Sequence, residues 1–84
     1  MKKTYTILLD SINQVKDFAN MINRFHCDVD LSSGRYVIDA KSIMGIFSLD
    51  LQSPLTLTIY GDNETDEAEI ADIEKALQPF LVKK

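Results

Sequence analysis

The stretch Ala40-Lys41-Ser42-Ile43-Met44-Gly45-Ile46-Phe47-Ser48-Leu49, AKSIMGIFSL, is too short for an ordinary helix and too apolar for an exposed loop. Residues 43 to 49 are expected to form a short helix with Ser42 as its N-cap, offering a side-chain oxygen to the free N–H groups of the first turn. Ile46 and Leu49, three apart, would then enter the core, leaving Ile43, Met44 and Phe47 on the other side as a candidate contact patch. Gly45 lies between them, where a missing Cβ would let another backbone come close. The competing reading makes all five apolar residues core filling and Ser42 only a cap.

Working outward, Asp28 to Leu31 and Arg35 to Ala40 alternate in polarity around Ser32-Ser33-Gly34 and read as an antiparallel hairpin, with glycine supplying the positive φ of the turn. On the other side, Leu55, Leu57 and Ile59 alternate with Thr56, Thr58 and Tyr60 in a strand whose first residue is Pro54. Residues 4 to 9 alternate as well, with Tyr5, Ile7 and Leu9 on one side. Between this strand and the hairpin, Val15, Phe18, Ala19, Ile22 and Phe25 form one apolar stripe at helical spacing, with Ser11 or Asn13 as its cap. Near the C-terminus Thr65 stands as the N-cap of a last helix that buries Ile70, Ile73, Leu77 and Leu81, with regular helix stopping near Gln78 ahead of Pro79. The order strand, helix, strand, strand, short helix, strand, helix predicts one α+β domain over residues 1–84, an open-faced sandwich of a four-stranded antiparallel sheet with three helices on one face.

Composition narrows the function. A chain of 84 residues with 45% apolar and 26% charged residues is an ordinary globular domain. Its formal charge of −4 argues against a nucleic-acid module, which needs a basic face to displace counterions from phosphates. Cys27 is the only cysteine, so no internal disulfide can form. No apolar run is long enough to cross a bilayer, and the basic start Lys2-Lys3 meets Asp10 before a signal-peptide core develops, so a cytoplasmic location without membrane insertion is expected.

The segment KSIMGIFSL, residues 41–49, resembles the signature of the HPr phosphocarrier proteins of the bacterial sugar phosphotransferase system around their regulatory serine, and the element order matches the HPr fold (βαββαβα) over essentially the whole chain. The resemblance implies that Ser42 corresponds to the serine phosphorylated by HPr kinase, and Ile43, Met44 and Phe47 to exposed residues that dock partner proteins. A phosphate there would add roughly one and a half to two negative charges at the positive end of a helix dipole, changing the surface more than the backbone. The other half of the family signature, Gly-(Leu/Ile)-His-Ala-Arg-Pro-Ala, has as its counterpart Ser11-Ile12-Asn13-Gln14-Val15-Lys16-Asp17. The resemblance puts Asn13 at the phosphohistidine position, Val15 at the arginine and Lys16 at the proline. A carboxamide has no basic nitrogen and is a poor nucleophile toward a phosphoryl group, and Asp17, taken as a first-turn charge, would repel the incoming anion.

His26, the only histidine, falls at the far end of the first helix, about 18 Å along the axis from Asn13, where a helix C-terminus accounts for it as a cation. Adjacent His26 and Cys27, on opposite faces of a strand, would make no metal pair, and no metal or cofactor is expected. The acidic run Asp62, Glu64, Asp66, Glu67 and Glu69 lacks the glycine a calcium loop requires and reads as a solvated turn and helix start. The expectation is a protein that is not an enzyme and has lost histidine phosphotransfer. It would bind proteins through the Ser42 segment, with HPr kinase, a transcriptional regulator or phosphotransferase-system components as partners. Some relatives without the histidine bind a transcriptional regulator after serine phosphorylation in carbon catabolite regulation, although they keep the Arg-Pro pair that this chain lacks. Two alternatives stand beside it: a genuine phosphocarrier using a non-standard site, and a homo-oligomeric assembly module that buries residues 43–47.

Overall fold

Alternating side chains send Leu55, Leu57 and Ile59 to one side of a strand, and all three are fully buried. In a computed structural model, which describes residues 2–61 and 64–82, this strand is β4, Leu55–Tyr60. The other elements are β1 (Lys2–Ile7), α1 (Ile12–Ile22), β2 (Asp28–Ser33), β3 (Tyr36–Asp39), α2 (Ile43–Phe47) and α3 (Glu64–Ala76). The sheet has the order β1-β4-β2-β3 with every neighbouring pair antiparallel. Helices pack on its buried face, which gives the open-faced α+β sandwich expected from the sequence.

Register aligns the apolar rows across the sheet. Tyr5 faces Leu57, which faces Leu31, which faces Ile38, while Ile7 faces Leu55 and Val29 faces Ile59. Onto these rows α1 lays Val15, Phe18, Ala19 and Ile22, and α3 lays Ile70 and Ile73. Gly34, with φ of +61°, turns the β2–β3 hairpin in a conformation that residues with a Cβ seldom adopt.

Several boundaries differ from the sequence reading. The apolar stripe of the first helix runs on to Phe25, but α1 ends at Ile22: beyond the C-cap Asn23 the N–H groups of Arg24 and Phe25 donate three residues back, to the Met21 and Ile22 carbonyls. His26 and Cys27 therefore lie in the connection before β2, neither at a helix terminus nor within a strand. β4 begins one residue after Pro54. α3 starts at Glu64, so Thr65 is inside the helix and not its cap, and the Asp62 part of the acidic run lies outside the described residues. Leu81 packs beyond the helix, bridging to Ile7 on β1. Phe80, absent from the expected core, is buried and meets Phe18 edge-on, with ring centroids 5.7 Å apart.

Candidate functional site

Two helix starts carry the residues singled out by the sequence. At the first, the chain leaves β1 through buried Leu9 and enters α1 at Ser11, whose extended backbone (φ −147°, ψ 159°) marks it as the N-cap. Its oxygen accepts the Gln14 N–H at 3.1 Å, and the Gln14 side-chain oxygen in turn accepts the Asp10 N–H at 2.9 Å. The two bonds resemble a capping box with its second donor one residue earlier, and they tie the helix start to its own neighbours. Asn13 is exposed in the first turn and is not the cap. Val15 is fully buried and so presents nothing to an anion. Asp17 lies beyond the first turn, which contains no acidic residue.

At the second start, Ser42 caps α2 and accepts the Gly45 N–H at 3.3 Å. Of the helix residues only Ile46 is fully buried, with Leu49 following it into the core. Met44 is 77% exposed, Phe47 40% and Ile43 37%. The division of the five apolar residues thus follows helical geometry, and they do not all fill the core. The space beside Gly45 is taken by the protein itself: a Cβ there would stand 3.3 Å from the Ser42 oxygen and 3.4 Å from the Ile38 Cβ. Glycine at this position lets α2 settle on β3 and leaves room for the cap; it does not open a path for another backbone.

The segment entering α2 is braced. Ser42 N–H donates to the Asp39 carbonyl, Lys41 N–H to the Asp39 carboxylate, and Lys41 Nζ to the Phe25 carbonyl at 2.7 Å. The Asn23 amide also reaches the Lys41 carbonyl. From the other side, a single oxygen of Glu69 on α3 accepts the N–H groups of both His26 and Cys27. Burial works against that carboxylate, but these N–H groups and the nearby His26 outweigh it and hold its pKa below the ordinary value. Burial and the Glu69 charge push the Cys27 thiol up to about 11, so it stays protonated near neutrality. Periodicity gave no sign of Glu69 or Lys41. Gln14, by contrast, was readable from the Ser-x-x-Gln spacing that marks a reciprocal helix start.

Among the described residues no group of three or more His, Cys, Asp or Glu side chains could hold a metal ion, and no helix is long and apolar enough to cross a membrane. The fold is shared with the HPr-C-His structure from Thermoanaerobacter tengcongensis (24% identity, TM-score 0.65, covering 80% of this chain and 83% of that one). It is also shared with the histidine-containing phosphocarrier protein of Mycoplasma (16%, TM-score 0.65, 92% and 91%). The phosphocarrier protein HPr of Bacillus anthracis is 28% identical, with a TM-score of 0.60 over 83% of this chain and 89% of that one. Residues 13–78 match the family model described as the PTS HPr component phosphorylation site. By that match over most of its length, the chain belongs to the HPr phosphocarrier family of the phosphotransferase system.

Proposed function

We propose that the protein is a non-catalytic member of this family that binds a protein partner through α2, controlled by phosphorylation of Ser42, and that it does not carry phosphate on histidine. The observation that carries this reading is the pairing of an exposed serine cap with three exposed apolar side chains, Ile43, Met44 and Phe47, on a segment braced from β3 and from the α1–β2 connection. A phosphate on Ser42 would change the charge at the border of that apolar patch without displacing anything buried.

The geometry of α1 supports the loss of the carrier site and refines its alignment. Proline fits only the first helical turn, where no N–H is needed for the ladder, whereas Lys16 stands in the second turn. A register two residues earlier sets Ser11 against the family histidine, Asn13 against the arginine, Gln14 against the proline and buried Val15 against the final alanine. This register suits both the cap and the burial better than one with Asn13 as the histidine counterpart. Neither register puts a histidine at the junction, and the Ser11 oxygen already takes the Gln14 N–H that an anion at the helix start would use.

The test is incubation with HPr kinase and ATP, which would move the γ-phosphoryl group to the Ser42 oxygen and release ADP. One phosphate is expected on the native chain and none on Ser42→Ala; no phosphate on the native chain would defeat the proposal. Family membership favours a second reading, a working phosphocarrier with another acceptor, for which exposed His26 is the one histidine available. Enzyme I and phosphoenolpyruvate followed by intact mass separates the two, since an acid-labile phosphate would establish the carrier.

A further inference from the structure

The two edges of the sheet are finished differently. The outer edge of β1 is covered near its end by the C-terminal segment, with Leu8 N–H donating to the Phe80 carbonyl and Val82 N–H to the Thr6 carbonyl. Among the described residues the outer edge of β3 has no strand beside it. Unprotected edges invite pairing, and proteins usually blunt them with charge, proline or a bulge. β3 has none of these at its centre, where Tyr36 is 75% and Val37 62% exposed.

The hydrogen-bond phase identifies which groups are free. Ala40 N–H donates to the Val29 carbonyl, so by alternation Ile38 and Tyr36 face β2, while Val37 and Asp39 direct their backbone groups outward. The Asp39 carbonyl confirms this phase, because it receives the Ser42 N–H from outside the sheet. Side chains divide as the register requires. Val37 and Asp39 lie opposite Ser32 and Asp30 on the solvent face, and Tyr36 and Ile38 lie on the helix side.

Arg35-Tyr36-Val37-Ile38-Asp39 runs from a cation through three apolar residues to an anion. Turned antiparallel on itself about Val37, the order is complementary: Val37 meets Val37, Tyr36 meets Ile38, and Arg35 meets Asp39. Asp39 also stands directly opposite Asp30, a like-charge pair that a guanidinium on the solvent face would relieve, and among the described residues Arg35 has no ion pair of its own. We propose that a second copy of this chain pairs with β3 around a two-fold axis at Val37, joining two four-stranded sheets into one. The axis lets the outward Val37 N–H of each copy donate to the Val37 carbonyl of the other. The contact is small beside a stable dimer interface, so the association is weak and reversible. It uses the edge of β3 and none of the exposed α2 side chains, although Asp39 also accepts the Lys41 and Ser42 N–H groups at the entry to that helix.

Sedimentation of the full chain over a micromolar-to-millimolar series, with backbone amide spectra recorded in parallel, tests this. Self-association is expected, with the Val37 amide among the signals that move. Val37→Lys, at an exposed position, should abolish it while leaving the circular dichroism spectrum unchanged. Arg35→Asp and Asp39→Arg should each weaken it about tenfold through like-charge pairs. An equimolar mixture of those two variants should associate more tightly than either alone, because each cation then meets an anion. A strict monomer at millimolar concentration, association that survives Val37→Lys, or a mixture no tighter than its components would each overturn the proposal.

Discussion

Ser11 and Ser42 cap their helices in the same way, each oxygen accepting the N–H three residues on, at 3.1 and 3.3 Å, yet the two starts have opposite surroundings. The start of α1 is closed on itself by Gln14, and its bonds join residues no more than four apart. The start of α2 is tied to distant parts of the chain through Lys41, Phe25 and Asn23, and it projects Met44 into solvent. A local cap makes a helix begin; a network of long-range bonds fixes where that helix points. The second arrangement is the one suited to presenting a surface to a partner, and it belongs to the segment that exposes Ile43, Met44 and Phe47.

The difference is best broken by removing what seats α2. Ile46→Ala deletes the one fully buried side chain of that helix and should lower stability by about 2–5 kcal/mol, measured by urea unfolding. No exposed residue of α2 should come near this cost. A comparably small loss would mean that α2 is not held by its apolar anchor.

Next in size is Glu69→Ala. It strips the acceptor from two backbone N–H groups, one of them in buried Cys27, and should cost about 1–3 kcal/mol. It should also loosen the connection on which Lys41 rests, so amide exchange should rise around residues 23–27 and 41–42 while residues 10–14 keep their protection. The native carboxylate titrates below its ordinary 4.5, so the folded state binds fewer protons than the unfolded state as pH falls through this region. Its contribution is complete above that value and is lost as pH drops through the lower folded one. The stability gap between the native chain and Glu69→Ala should accordingly be flat near neutrality and narrow under acid. A gap that widens on acidification would reverse the assignment.

Much of this was legible in the sequence, for a physical reason. Leu55, Leu57 and Ile59 declare a strand because alternation is a local property, and Val15, Phe18, Ala19 and Ile22 declare a helix face in the same way. Ser42 and the split between Ile46 and Met44 follow from helical spacing alone. The stripe overruns the end of α1 because Phe25 continues its period, while the backbone has already turned to bonds three residues back at Arg24 and Phe25. Phe80 stayed hidden because its burial depends on Phe18 and on the Leu8 N–H, both far away along the chain. Glu69 reads from the sequence as part of a solvated run because nothing in its neighbours records that the amides of residues 26 and 27 come to meet it.

Ser11→Ala sharpens the contrast at the closed start and should cost about 1 kcal/mol. Gln14→Ala should cost less, and the double variant should fall short of the sum, since Ser11 holds the backbone of the residue whose side chain reaches back to the Asp10 N–H. If the costs simply add, the two bonds are independent and the start of α1 is not a reciprocal cap.

Met44→Ala is the smallest perturbation to the fold and the most informative about function. At 77% exposure the side chain contributes little to the core, and unfolding should shift by no more than about 0.5 kcal/mol in either direction. Binding of a partner that docks on α2 should fall while stability holds, because apolar area that is costless to remove from the free protein is area the complex would have buried. Ser11→Ala should give the inverse pattern, with lower stability and unchanged binding. That crossing of effects separates a surface kept for recognition from a cap kept for folding; if both variants move stability and binding together, the two helix starts are not divided in this way.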